Sequence, residues 1–187
     1  MPKIKIILLT ILILPACFHL NAQNETAQFK RAEQATTLLR NEGPLLPLQR
    51  LDTLQIAYLR FGTIEDDRFL STAKKYTGIS IEEVPATLDT EWFNRIQSQY
   101  GLLLLEIQDY PTGNSVPPAY RQKSIIQALS RLPSSITTIT GDGSIFQVIP
   151  SLQKASHLLI APNRMKYAPS IAAQIIFGGM SANGQLL

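Results

Sequence analysis

The sequence of 187 residues contains one cysteine and two histidines. Cys17 has no second cysteine for a disulfide within the chain, and His157 is the only histidine outside the first 22 residues. Charged residues make up only 17% of the chain and hydrophobic residues 45%, which excludes a chain that is disordered throughout. The apolar run Ile6–Leu14 is too short for a membrane-spanning helix, which needs about 20 residues. The sequence therefore predicts a globular domain held by its apolar core, with no metal, no other cofactor and no transmembrane span.

The first 22 residues have the pattern of a secretory signal peptide. Lys3 and Lys5 precede the apolar run, and Leu20-Asn21-Ala22 offers a small residue for cleavage. The mature chain would then begin at Gln23, and we expect it in the periplasm or outside the cell. In the alternative interpretation Leu14-Pro15-Ala16-Cys17 is a lipobox, and the protein is a lipoprotein anchored at Cys17. Both interpretations predict an exported protein.

The mature chain is nearly neutral. Removal of residues 1–22 takes away two lysines and no acidic residue, so 15 basic and 14 acidic residues remain. A domain with this balance has no electrostatic reason to bind nucleic acid or an anionic membrane surface. We therefore expect no nucleic-acid partner.

Strand and helix patterns alternate along the mature chain after a first helix predicted over residues 25–40. The predicted strands are Leu54–Phe61, Ile79–Val84, Leu102–Ile107, Ile136–Thr140 and Leu158–Ala161, and helical patterns follow each of them. Leu102–Ile107 lacks alternation, which predicts a strand buried on both faces. In Ile79–Val84 the alternation places Ile79 and Ile81 on a buried face and Ser80 and Glu82 on a wet one. The succession predicts one α/β domain over 23–187, a three-layer α/β/α sandwich with a mostly parallel sheet of five or six strands.

Candidate binding residues follow the strands, because ligands of open parallel sheets lie beyond the carboxyl ends of the strands. Asp109 follows the central predicted strand and could accept a hydrogen bond from a sugar hydroxyl or act as a general acid. Gly141-Asp142-Gly143 resembles a fragment of a phosphate loop, but it lacks the third glycine of a dinucleotide fingerprint and the Gly-Lys-Ser/Thr of a P-loop. In the alternative interpretations Asp109 is an ordinary polar residue at the end of a strand, and Gly141-Asp142-Gly143 is an ordinary strand-to-helix turn. Asp109, Gly141 and Asp142 are the predicted binding residues.

No set of residues in the sequence is complete enough for catalysis. His157 has no cysteine, histidine or acidic neighbour at metal-ligand spacing, and Ser144 does not lie in a nucleophile elbow. Glu65-Asp66-Asp67 is expected to cap a helix through its dipole. Glu82-Glu83 should point to opposite faces of a strand, at a solvated edge. We predict no catalytic and no metal-ligating residue.

Two sequence motifs near the ends of the mature chain resemble those of a known family. The first runs over residues 35–48, where a helix ending in Leu-Leu-Arg-Asn leads to Leu-Leu-Pro-Leu. The second is Ala-Ala-Gln-Ile-Ile-Phe-Gly-Gly at 172–179, followed by Asn-Gly-Gln-Leu at 183–186. Together they resemble the C-terminal domain of family 3 glycoside hydrolases, nearest the secreted bacterial β-N-acetylhexosaminidase-like members. The resemblance spans Phe29 to Leu186.

The resemblance implies an accessory domain of a sugar-cleaving enzyme. Family members place a (β/α)₈ barrel before this domain, and the barrel carries the aspartate nucleophile. Because retaining glycosidases need two carboxyl groups about 5–5.5 Å apart, we expect this chain to be inactive alone and to pack against a barrel encoded separately. Residues 141–143 and Leu187 depart from the family's sequence motifs, which indicates a truncated, degenerate or split version of the family's enzymes. The alternatives are a carbohydrate-binding module, or a small glycosidase that uses Asp109 and Asp142.

Overall fold

A computed structural model describes residues 23–43, 45–62, 67–87, 89–109, 122–141 and 143–183. Helix α1 covers residues 23–35. The strands of the described part are β1 Thr37–Asn41, β2 Ile56–Phe61, β3 Ile79–Glu82, β4 Leu102–Asp109, β5 Ser135–Gly141 and β6 His157–Ala161. The further helices are α2 Arg68–Ala73, α3 Thr90–Gln99, α4 Lys123–Leu129, α5 Ile145–Val148, a 3₁₀ turn at Pro150–Lys154, and α6 Ala168–Phe177. No helix among these residues is long and apolar enough to cross a lipid bilayer.

The six strands form one sheet in the order β1-β6-β5-β4-β2-β3. All neighbouring pairs are parallel except β1 with β6, which is antiparallel. The chain moves outward from β2 to β3 and then returns past β2 to β4, so the direction of winding changes between β2 and β4. In doubly wound sheets such a switch point opens a crevice at the carboxyl ends of the two strands.

Helices cover both faces of the sheet, which confirms the three-layer α/β/α sandwich. One apolar cluster packs α1, α2 and α6 on the face that carries Leu102 and Leu104. The other packs α3, α4, α5 and the 3₁₀ turn on the face that carries Leu103 and Leu105. Residues 102–107 of β4 are at most 1% exposed, so the prediction of a strand buried on both sides is confirmed.

The helix predicted over residues 25–40 ends earlier in the structure, at residue 35, and residues 37–40 belong to strand β1 instead. The backbone N–H and the hydroxyl of Thr36 both donate to the carbonyl of Ala32, at 2.9 and 2.8 Å, and end the helix there. Residues 37–41 then pair with β6. The ladder hydrogen bonds of this pairing outweigh the helical spacing of Leu38 and Leu39.

The predicted faces of β3 are confirmed for Ile79, which packs against the core, and for the exposed Ser80, but they are wrong for Ile81 and Glu82. Ile81 is 58% exposed, whereas the carboxylate of Glu82 binds Arg95 at 3.0 Å and the hydroxyl of Tyr100 at 2.5 Å. β3 is a four-residue edge strand that pairs only with β2. A strand with a neighbour on one side only need not bury the side chain that its alternation favours.

Candidate functional site

The predicted binding residues lie at the carboxyl edge of the sheet, where the structure describes them in part. Asp109 ends β4 and is paired in register with Gly141, which ends β5. Asp142 falls outside the described residues. The backbones of Asp109 and Gly141 are therefore brought together as expected, and their part in binding stays a prediction.

A group of buried polar side chains lies on the carboxyl-terminal half of the central strands. We call Tyr58, Glu106, Gln108, Thr138 and Thr140 the polar cluster; each is at most 2% exposed. The register places Glu106 beside Thr138 and Gln108 beside Thr140. Alternation puts them on the same face as Leu104, the one that α2 and α6 cover. This face is thus apolar at the amino half of the strands and polar at the carboxyl half.

The carboxylate of Glu106 is a centre of hydrogen bonding in the polar cluster. The Tyr58 hydroxyl donates to one carboxylate oxygen, and the Thr140 hydroxyl donates to the other at 2.9 Å. Burial, followed by the negative charge of Glu106, raises the pKa of Tyr58 well above its usual value, so this hydroxyl keeps its proton. A buried carboxylate with two hydroxyl donors is a stable acceptor and is poorly placed to abstract a proton.

Arg60 connects the polar cluster to the surface. Its Nε donates to the Tyr58 hydroxyl at 3.2 Å, and its guanidinium lies 5.6 Å from the centre of the Tyr58 ring and pairs with Asp67. Asp67 stands at the N-cap of α2, but its side chain makes no cap hydrogen bond. Asp67 therefore lies at the helix N-terminus as predicted, but its carboxylate pairs with Arg60 and caps no backbone N–H. Glu65 and Asp66 lie outside the described residues.

Two members of the polar cluster have unpaired polar atoms. Within the described ranges, neither the amide oxygen nor the amide nitrogen of Gln108 has a hydrogen-bond partner, and the same is true of the Thr138 hydroxyl. Gly62 follows β2 with φ +96°, and a Cβ there would lie 3.1 Å from the Cβ of Gln108. The backbone after β2 therefore passes close to Gln108 at the switch point. Both the positive φ and the close contact disfavour any side chain at position 62.

His157 lies at the opposite, amino edge of the parallel strands. Its Nδ1 is 3.1 Å from the side-chain oxygen of Asn41, and its Nε2 is 3.1 Å from the carbonyl of Pro133. The Asn41 amide also exchanges two 3.1 Å hydrogen bonds with the backbone of Leu46. Burial lowers the pKa of His157, against the opposing effects of the Pro133 carbonyl and the Glu42 charge. The imidazole links β6 to Asn41 of β1 and to Pro133 before β5, and Asn41 in turn binds Leu46 in the segment after β1. This is a structural role.

The polar cluster is not among the sites predicted from the sequence. Glu106 lies in the predicted strand Leu102–Ile107, and Thr138 and Thr140 lie in the predicted strand Ile136–Thr140. The available signal was a period of two: Glu106 and Gln108 on one strand, and Thr138 and Thr140 on the next, are polar residues on alternate positions of otherwise buried strands.

The two sequence motifs that carry the family resemblance, residues 35–48 and 172–179, contact each other in the fold. The Leu48 N–H donates to the carbonyl of Ile176 at 2.8 Å. Gly178 ends α6 with φ +80°, and a Cβ there would lie 3.2 Å from the Cβ of Pro47. A groove of about 480 Å³ between Leu46, Pro47 and residues 178–182 marks the same junction. The connector and the last helix are one packing unit at the amino edge of the sheet.

No protein-family model matches the chain, and no curated protein matches it. Solved structures do match. A fungal multi-domain GH3 β-N-acetylglucosaminidase with a glucosamine N-acetyltransferase region aligns with 89% of this chain at a TM-score of 0.62 and 15% identity. A β-glucosidase of saponin metabolism from intestinal bacteria aligns with 88% at 0.61 and 14% identity. A GH3 exo-β-xylosidase aligns with 86% at 0.55 and 14% identity.

The matched region is a small part of each of these proteins. The alignment covers 19% of the N-acetylglucosaminidase, 32% of the β-glucosidase and 24% of the xylosidase. At these identities the likeness shows a shared fold. The α/β sandwich of this chain therefore has the fold of one domain within larger glycosidase chains.

Proposed function

We propose that this chain is an accessory α/β domain of the family 3 glycoside hydrolase type, exported, inactive alone, and made to pack against a (β/α)₈ barrel on another chain. The nearest type is β-N-acetylhexosaminidase-like. The observation that carries the proposal is the fold match, which covers nearly all of this chain and less than a third of each glycosidase. The contact between residues 46–48 and 176–178 supports the proposal, since the two sequence motifs that resemble the family form one structural unit.

Two described carboxylates, Glu106 and Glu82, are poorly placed to act as the catalytic acid of a glycosidase. Retaining glycoside hydrolysis needs an acid and a nucleophile that face each other across the scissile bond. Glu106 is enclosed with Tyr58 and Thr140, and Glu82 is bound by Arg95 and Tyr100. Each of these groups is already engaged as an acceptor, so neither offers a free general acid at the surface.

Two measurements test the proposal. The purified chain should not hydrolyse an aryl N-acetyl-β-glucosaminide, and it should form a 1:1 complex with a family 3 barrel domain from the same organism in size-exclusion chromatography with light scattering. A (β/α)₈ barrel of an unrelated enzyme is the control and should not associate. Hydrolysis by the chain alone that disappears in Asp109→Asn would overturn the proposal in favour of a small glycosidase.

A further inference from the structure

Strand β3 ends the sheet on one side and is open to a further strand. Among the described strands it pairs with β2 alone, in an unbroken register, and it contains no proline. The strand at the other edge, β1, is interrupted by an irregularity between Leu38 and Arg40. Ser80 is exposed, and Ile81 is the one large hydrophobic side chain of the described residues that is exposed, at 58%. A regular edge that presents an isoleucine is a surface on which another strand can pair.

The charges at the two ends of β3 are opposite in sign. Lys74 and Lys75 come shortly before the strand, and Glu82 and Glu83 lie at its carboxyl end. Glu82 binds Arg95, whereas the exposed side chains of Lys74, Lys75 and Glu83 form no ion pair within the part of the chain that the structure describes. A strand that pairs antiparallel with β3 should therefore be acidic near the lysines and basic near Glu83.

A second copy of the same strand has this charge pattern. When two identical strands pair antiparallel about a twofold axis, the amino end of each lies beside the carboxyl end of the other. The basic end of each copy then lies near the acidic end of the other, at two equivalent places. We propose that the chain forms a dimer in which β3 pairs antiparallel with β3 of a second copy, about a twofold axis perpendicular to the sheet.

The isoleucines indicate the register of this pairing. With the axis at Ser80, Ile81 of each copy lies opposite Ile79 of the other, on the same face of the combined sheet. Such cross-strand pairs of side chains stabilise an antiparallel ladder. Glu83 then lies opposite Thr77 of the second copy, two residues from its Lys75. The pairing would cover Ile81 and join two six-stranded sheets into one.

The small size of the contact sets its expected strength. Stable interfaces bury about 1,200–2,000 Å², and weak, transient ones bury less. β3 has four residues, so we expect a weak dimer that forms at high protein concentration and dissociates on dilution. The pairing does not depend on a barrel partner.

Sedimentation velocity of the purified chain over about a hundredfold range of concentration tests the inference. The mean mass should rise towards twice that of the monomer as the concentration increases. Ile81→Lys should lower the association constant about tenfold, because it replaces the apolar side chain of both cross-strand pairs with a charged one. Lys154→Glu, at an exposed lysine of the 3₁₀ turn, is the control and should leave the association unchanged.

An exchange of charges tests the antiparallel arrangement. The variant Lys74→Glu/Lys75→Glu is acidic at both ends of β3, and Glu83→Lys replaces the unpaired acidic group with a basic one. Each should associate about tenfold more weakly than the unaltered chain, since like charges then meet at two equivalent places. An equimolar mixture of the two variants should regain association as a mixed dimer, because opposite charges face each other again.

A monomer mass at every concentration would overturn the inference, and so would association that persists undiminished in Ile81→Lys. A mixture that associates no better than its two components would contradict the antiparallel arrangement. If the chain is monomeric and Ile81→Lys instead weakens its binding to a barrel domain, the edge serves that partner and the inference is wrong. If Lys74→Glu/Lys75→Glu does not fold by circular dichroism, Ile81→Lys and its control decide the test.

Discussion

Removal of the Tyr58 hydroxyl should destabilise the fold more than removal of the Tyr100 hydroxyl. Both tyrosines donate to a glutamate: Tyr58 to Glu106 in the sheet interior, and Tyr100 to Glu82 at the edge. Glu106 is 1% exposed, whereas the side chain of Glu82 is 17% exposed and keeps Arg95 as a partner. Tyr58→Phe and Tyr100→Phe are thus the same chemical change in two environments.

The expected magnitude follows from these environments. A hydrogen bond to a charged group contributes about 1.5–3 kcal/mol, and loss of a donor to a buried carboxylate falls at the upper end of this range. Tyr58→Phe also removes the acceptor of the Arg60 Nε hydrogen bond. We expect a loss of about 2–3 kcal/mol for Tyr58→Phe. Near the surface, solvent and Arg95 replace the lost donor, so Tyr100→Phe should lose less than about 1 kcal/mol.

Urea denaturation followed by circular dichroism measures the difference. With a slope of about 2 kcal/mol per molar urea, the midpoint of Tyr58→Phe should fall by about 1–1.5 M and that of Tyr100→Phe by less than about 0.5 M. Equal midpoints for the two variants, or a larger loss in Tyr100→Phe, would refute the reasoning that Glu106 depends on the Tyr58 hydroxyl.

Three further predictions concern other parts of the fold. Gly178→Ala should destabilise by about 1–2 kcal/mol, and more than Gly43→Ala in the same urea assay, because both have positive φ but only Gly178 packs against Pro47. The pKa of His157 is lowered by burial from 6.5, so the unfolded chain takes up the proton first, and the free energy of unfolding should fall as the pH drops below about 6.5. His157→Gln should flatten that slope between pH 7 and 5, and an unchanged slope would contradict the assignment. Ile81→Lys should change the free energy of unfolding by less than about 0.5 kcal/mol and reduce self-association in light scattering, since Ile81 is 58% exposed on an edge strand.

The sheet could be predicted from the sequence because its central strands have local signals. Residues 102–107 form an uninterrupted buried run, and glycine and proline mark the ends of several helices. Strand β1 could not be predicted in this way. Thr37–Asn41 becomes a strand because β6, more than 100 residues later, offers an antiparallel edge, and no local pattern records that pairing.

Of the candidate site, only the residues at the carboxyl ends of the strands could be predicted from the sequence. Asp109 and Gly141 follow from the rule that ligands lie beyond the carboxyl ends of parallel strands, and that rule points to loops rather than to strand interiors. The polar cluster lies within the strands, and its members come from β2, β4 and β5. Their proximity depends on the strand order and register, which the sequence alone does not contain.

The association of this chain with a family 3 barrel domain from the same organism tests the central claim most directly. Isothermal titration of the purified barrel into the purified chain should give saturable binding with a stoichiometry of one. A titration without saturable heat, repeated at a second temperature and with both proteins folded by circular dichroism, would contradict the claim that the domain is made to pack on a barrel.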